Sequence, residues 1–323
     1  MIPMQGSSRS NAFMKSTNVR AKELPLVVAA AGLRAIEPWS PELTARLAAT
    51  LMFRTTRRPS PPAERALLAG GERFTVRSGG RSLAAWTFGD GPTVLLVHGW
   101  NGRGGQLGAF VPALLARGFR VVTFDAPGHG ESSGHDSSIL AIANAIDDVI
   151  SATASLFAPL QGIIGHSLGG AAITYAMSRA IARPRASNER ALREALPARR
   201  FALVAPPIDL RDFVAGFSRA ARLNDGTRHR IEGRIEEQLA ISIDELYGPS
   251  LAEELRAPAL IVHDEDDREV PIRCGRLLAA AWPGAELVVT RGLGHHRILR
   301  DPRVVEDVVA FVTERDLRAP GTY

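Results

Sequence analysis

Short runs of apolar residues recur along the chain: TVLLVH (Thr93 to His98), RVVTFD (Arg120 to Asp125), GIIG (Gly162 to Gly165), FALVA (Phe201 to Ala205), ALIVH (Ala259 to His263) and ELVVT (Glu286 to Thr290). They are continuous rather than alternating, which marks strands covered on both faces. Helical patterns lie between them. Leu107, Phe110, Val111 and Leu114 share one face of a helix that stops at Gly118, and Ile139, Ile142, Ile146, Val149 and Ile150 share another. A last helix opens at Asp301-Pro302 and buries Val305, Val308, Val309 and Val312. This alternation predicts an α/β fold with a mostly parallel central sheet and helices on both faces. One antiparallel hairpin leads into it, because ERFTVRS and RSLAAWTF flank Gly79-Gly80.

The flanks read differently. Residues 1 to about 20 carry the composition of a disordered segment, and LPLVVAAAGL reads as a helix packed on the body. Glu23 and Pro25 stand where the apolar core of a signal peptide would begin, which argues against secretion. SPELTARLAATLMF is a helix with Ser40 as N-cap, Pro41 in the first turn, and Leu43, Leu47 and Leu51 on one face. The domains expected are thus an N-terminal extension with one or two helices (1–62), a core (63–207 and 256–323), and an insertion (208–255) with helical pattern and no strand. That insertion sits above the sheet as a small lid.

Composition narrows the function classes. The sole cysteine among 323 residues, Cys274, excludes an intramolecular disulfide and suits a reducing, cytoplasmic setting. The net charge is +5, but the arginines are scattered, with a modest cluster from Arg183 to Arg200 and little aromatic interleaving, so no nucleic-acid partner is expected. No apolar run approaches the roughly 18 residues of a membrane span, so no integral membrane segment is expected. Nothing in the pattern specifies an oligomeric state.

The stretch IIGHSLGGAA places Ser167 between glycines. In a chain with 30 glycines that pattern alone has little weight. Its position carries the weight: Ser167 comes just after a strand's carboxyl end, where open parallel sheets build their sites, and Leu168 to Ala180 continue as a helix. A serine on a strand-to-helix turn exposes its hydroxyl, and small neighbours prevent collision with adjoining elements. The helix N-terminus offers N–H groups to a developing oxyanion. Such a serine needs a base, and the base needs an orienting acid. After ALIVH come Asp264, Glu265, Asp266, Asp267 and Glu269; after ELVVT come His295 and His296.

Taken with HGW (His98 to Trp100) and DAPGHGES (Asp125 to Ser132), these motifs resemble the α/β-hydrolase fold family, in its serine-hydrolase, bacterial esterase-like branch. The resemblance runs from about residue 72 to 315. It implies a serine hydrolase that cleaves a carboxylic ester of short to medium chain through an acyl-enzyme on Ser167, with no cofactor and no metal. The family's H-G-x-x-D-x-x-V turn falls on His263 to Val270 and selects Asp267 as the acid. Asp264, where glycine is usual, is the rival, and Asp209 a further alternative. The G-H-x-x-x-L pattern falls on Gly294, His295 and Leu299 and selects His295 as the base, leaving His296 as a neighbour. The resemblance assigns the oxyanion hole to the N–H groups of Trp100 and Leu168, and loop-fixing roles to His98 and His129. Trp100, Phe213 and Phe217 are the expected substrate contacts. The alternatives are a ligand-binding protein on the same scaffold with negligible turnover, an interaction protein using the segment 183–200, or a hydrolase of thioesters, lactones, amides or C–C bonds. A dinucleotide reading of Gly128, Gly130 and Gly134 fails because Asp148 falls inside a helix rather than at a strand end.

Overall fold

The apolar runs all enter one sheet. The computed structural model describes residues 24–154, 160–182 and 198–314. Its strands are β1 (Glu72–Ser78), β2 (Arg81–Phe88), β3 (Thr93–Val97), β4 (Arg120–Phe124), β5 (Leu160–His166), β6 (Arg200–Val204), β7 (Ala259–Asp264) and β8 (Ala285–Thr290). Their spatial order is β1-β2-β4-β3-β5-β6-β7-β8. Pairing is antiparallel for β1 with β2 and β2 with β4, and parallel elsewhere. Gly79 (φ 53°) and Gly80 (φ 76°) supply the two left-handed residues that a tight hairpin turn with the sheet's twist demands.

Alternation along each strand splits the core into two layers. Leu95 and Val97 of β3 face one layer, which includes Ile142, Ile146, Ile173, Met177, Cys274 and Leu278. Val94 and Leu96 face the other, which includes Phe110, Leu114, Val304, Val308 and Val312. All of β3 is buried, as the unbroken apolar run requires, and each such side chain contributes roughly 1.5–3 kcal/mol. Three details depart from the sequence pattern. The run ELVVT is not covered on both faces, because β8 is an edge strand, and Val289 is exposed. Leu107 lies in a 3₁₀ turn (Gly104–Leu107) ahead of the helix Phe110–Ala116 rather than in that helix. In the helix Pro302–Thr313, Val304 is buried and Val305 is only half-buried.

The N-terminal helices Leu24–Ile36 and Pro41–Phe53 do not pack on the sheet. Instead they share a third apolar cluster with the insertion: Leu33, Ala45, Ala48, Ala49 and Met52 meet Val214, Ile231, Ile235 and Ile243. Ser40 caps the second helix, its Oγ accepting from the Leu43 N–H at 3.2 Å. The face that is buried, however, is not the leucine face. Leu43, Leu47 and Leu51 point outward, at 45%, 40% and 39% exposure, while the alanines lie against the helix Asp225–Leu239. Small side chains let the two backbones approach closely, so the alanine face wins over the more apolar one.

The insertion itself comprises the helices Leu210–Ala221, Asp225–Leu239 and Gly248–Ala252 with a 3₁₀ turn at Ile243–Leu246. Asp209 caps the first of these, its carboxylate accepting from the Arg211 N–H at 2.8 Å. The segment 1–23 and the arginine-rich residues 183–197 lie outside the described residues. Arg200 is buried, paired with Glu314 at 2.8 Å and stacked over Phe311. Among the described residues, no helix is long and apolar enough to cross a membrane.

Candidate active site

At the carboxyl end of β5 the chain turns sharply at Ser167 into the helix Leu168–Ala182. Ser167 has φ 52°, a left-handed conformation that costs a non-glycine residue of order 1–2 kcal/mol. The turn is held by the Ser167 N–H donating to Val204 O (2.9 Å) and the Gly170 N–H donating to Ser167 O (2.8 Å). Its glycines are there for space. A Cβ on Gly165 would lie 2.9 Å from Gly170 N, and one on Gly169 would lie 2.6 Å from the carbonyl oxygens of Val97 and His98.

The fold brings Asp267 and His295 into direct contact. Asp267 Oδ2 accepts from His295 Nδ1 at 2.7 Å, and Asp267 Oδ1 accepts from the Glu269 and Val270 N–H groups at 2.8 and 2.9 Å. Burial alone would raise the Asp267 pKa; the hydrogen bonds from His295 and the two amides outweigh it and hold the carboxyl below its ordinary value. With Nδ1 engaged, His295 presents Nε2. No hydrogen bond joins Ser167 Oγ to His295 among the described residues, a looseness common in ligand-free sites. The two residues are tied by another route: His166, the neighbour of Ser167, donates from Nε2 to the His295 carbonyl at 2.9 Å, with ring centroids 4.7 Å apart.

His166 and Asp264 are the two residues whose importance the motifs do not announce. Burial, together with the nearby His295, lowers the His166 pKa to about 3, so the ring stays neutral and keeps its Nε2 proton for the His295 carbonyl. Its only sequence signal is its place inside the G-H-S turn. Asp264 makes no hydrogen bond to the His295 side chain among the described residues. Its Oδ2 accepts from Thr290 Oγ1 (2.7 Å) and the Leu293 N–H (3.0 Å), and its Oδ1 from the Asp266 (3.0 Å) and Gly294 (2.9 Å) N–H groups. It fastens the loop that carries His295. His296 faces outward and pairs with Glu269 at 2.9 Å.

The loop after β3 approaches Ser167 from the other side. A Cβ on Gly99 would fall 2.9 Å from Ser167 Cβ, so only glycine permits the contact. Beside it, the Trp100 and Leu168 N–H groups make no hydrogen bond within the described chain. His98 pins the loop: Nδ1 donates to Gly99 O (2.7 Å) and Nε2 accepts from the Ala126 N–H (2.9 Å). Burial lowers its pKa to about 3. His129 donates from Nδ1 to Pro127 O (2.9 Å) and meets the Trp100 ring edge-on at 5.3 Å. Asp125 caps this region, accepting from the Gly104 and Glu131 N–H groups, both at 2.7 Å, with burial raising its pKa to about 6. Phe213 is 52% exposed, and Phe217 packs into the third cluster.

Residues 94–308 match the family model described as "Alpha/beta hydrolase family". The chain belongs to that family. Among curated proteins it is 26% identical over 257 residues to a pyrethroid hydrolase of Sphingobium wenxiniae, covering 71% of this chain and 89% of that one. A shorter stretch of 46 residues is 54% identical to a pimeloyl-[acyl-carrier protein] methyl ester esterase of Methylococcus capsulatus, 14% of this chain and 18% of that one. Among solved structures, an esterase of Pyrococcus furiosus superposes with a TM-score of 0.58 at 16% identity, over 80% of this chain and 98% of that one. A putative lipase of Acinetobacter baumannii gives 0.56 at 19% identity, over 79% and 97%. At these identities the structural matches establish the fold.

Proposed function

We propose that this protein is a serine hydrolase of carboxylic esters. The observation that carries the reading is Ser167, a serine in left-handed backbone on the strand-to-helix turn beside the buried Asp267–His295 pair. A strained conformation at a site facing a paired histidine is the signature of stored pre-organisation rather than of packing.

In this mechanism His295 Nε2 takes the Ser167 Oγ proton as Oγ attacks the ester carbonyl. Asp267, ionised and fully hydrogen-bonded, keeps the imidazole in the Nδ1–H form and stabilises the imidazolium that results. The carbonyl oxygen becomes an oxyanion and takes the Trp100 and Leu168 N–H groups, which have no competing acceptor among the described residues. The imidazolium returns its proton to the departing alkoxide, leaving an acyl-enzyme. Water, deprotonated by His295, then releases the acid. The similarity to a pimeloyl-[acyl-carrier protein] methyl ester esterase supports a carboxylic ester as the substrate class. The insertion helices, joined to the N-terminal helices, act as the cap above this site, and Trp100 lines one of its walls.

The test is labelling with a fluorophosphonate probe, wild type beside Ser167→Ala, with p-nitrophenyl acetate and butyrate turnover in parallel. The reading expects labelling and turnover in the wild type and neither in the variant. A wild type that neither labels nor turns over would make it a binding protein on a hydrolase scaffold.

A further inference from the structure

The loop Gly99–Gly105 carries Trp100, yet little of its own structure holds it. Internally it has the Gly102 N–H to Gly99 O turn at 3.1 Å. Three anchors come from the core: His98 Nδ1 donates to Gly99 O at 2.7 Å, Asp125 takes the Gly104 N–H, and Thr123 Oγ1 donates to Gly104 O at 3.0 Å. Two more come from far up the chain. Asn101 Oδ1 accepts from the Thr56 N–H at 2.7 Å, and Arg103 forms a nearly buried ion pair with Glu64. Gly105 also rests on Glu64, since a Cβ there would lie 3.0 Å from the Glu64 Cβ.

The segment making these contacts is itself strapped across the neighbouring loop. The Ser137 N–H donates to Phe53 O (2.9 Å), the Thr55 N–H to His135 O (3.1 Å) and Thr55 Oγ1 to Gly128 O (2.7 Å). Arg57 reaches the carbonyls of Gly128 (3.4 Å), Ser132 and Gly134 (2.7 Å). This is a polar attachment, made through backbone groups at fixed directions rather than through apolar area. Such bonds add little net stability each but set orientation. The segment also lies before residue 94, ahead of the region shared with the family.

We propose that Phe53–Glu64 is a positioning strap of the active site, holding the Gly99–Gly105 loop so that the Trp100 N–H meets the reacting oxygen. The proposal rests on the hydrolase reading above. Asn101 is the point of transfer. It sits next to Trp100 at φ 54°, a left-handed conformation, and its carboxamide is fixed by the strap. Releasing it lets the loop relax without removing any group that touches substrate.

Two variants test this. Asn101→Gly tolerates the backbone conformation and deletes the acceptor; Glu64→Gln keeps the volume and discharges the partner of Arg103. The readouts are kcat and KM for p-nitrophenyl butyrate and the Ki of phenylboronic acid, whose tetrahedral adduct uses the same oxyanion donors. A loosened donor should lower kcat about ten- to a hundredfold and raise the boronate Ki in parallel, with KM within about twofold. Unchanged kcat and Ki in both variants would overturn the strap while leaving the hydrolase reading intact. If Asn101→Gly loses its fold by circular dichroism, Glu64→Gln decides; loss of fold in both overturns the proposal, because the segment is then a stability element. A wild type without labelling or turnover removes the hydrolase reading, and the positioning role with it.

Discussion

Replacing Ser167 with glycine and with alanine separates the chemistry of this residue from the strain it bears. Both substitutions delete the proposed nucleophile, so both should abolish turnover. They differ at the backbone. Ser167 sits at φ 52°, where a Cβ costs about 1–2 kcal/mol. Alanine keeps that Cβ and keeps the strain. Glycine releases it but raises the entropy of the unfolded chain, which costs about 0.4–1 kcal/mol. The hydrogen bonds of the turn use the Ser167 backbone and survive in both. The net expectation is that Ser167→Gly is more stable than Ser167→Ala by about 1 kcal/mol, or about 2 °C in melting midpoint for a chain of this size. Differential scanning calorimetry on the two inactive variants measures the difference directly. A glycine variant no more stable than the alanine one would refute the claim that the elbow stores backbone strain.

Three further outcomes are expected. Asp267→Asn should keep the fold but cut kcat on the order of 10³–10⁴-fold, because the amide no longer selects the Nδ1–H form of His295; steady-state kinetics against the wild type checks it. Gly169→Ala should destabilise by about 3 kcal/mol or more, since its Cβ would lie 2.6 Å from two backbone oxygens that cannot move aside; the urea midpoint reads it. The third concerns pH. His98 and His166 have folded pKa values lowered by burial from 6.5 to about 3, so the unfolded chain binds their protons first. Their contribution is fully present above pH 6.5 and is lost as pH falls below it, about 1.4 kcal/mol per pH unit for each. Asp125, raised by burial from 3.8 to about 6, works the other way between those values and cancels about one of the two. From pH 6 to 4 the three together should therefore lower stability by about 1.4 kcal/mol per unit; a flat urea midpoint over that range would contradict the assigned neutral histidines.

The core of this fold is written in local pattern. A run such as TVLLV can be satisfied only by burial on both faces, and Gly79-Gly80 can only be a turn, so the sheet and its hairpin follow from neighbours in sequence. Ser167 was legible for a related reason: it comes just after a strand's carboxyl end and opens a helix, whereas Asp267 and His295 were singled out from their neighbours only by the resemblance to the family. What sequence could not settle are choices made by contacts between distant segments. The second helix has two apolar faces, and its partner helix, 225–239, took the alanines because they allow closer approach. Asp264 stood among several carboxylates, and only the packing of β8 and the His295 loop against β7 gave it three distant donors, Thr290, Leu293 and Gly294. Thr56 and Asn101 carry no motif and lie 45 residues apart; their hydrogen bond exists because the extension crosses the loop after β3. Periodicity records what a residue needs from its environment, whereas the identity of a distant partner is decided only when the chain closes on itself.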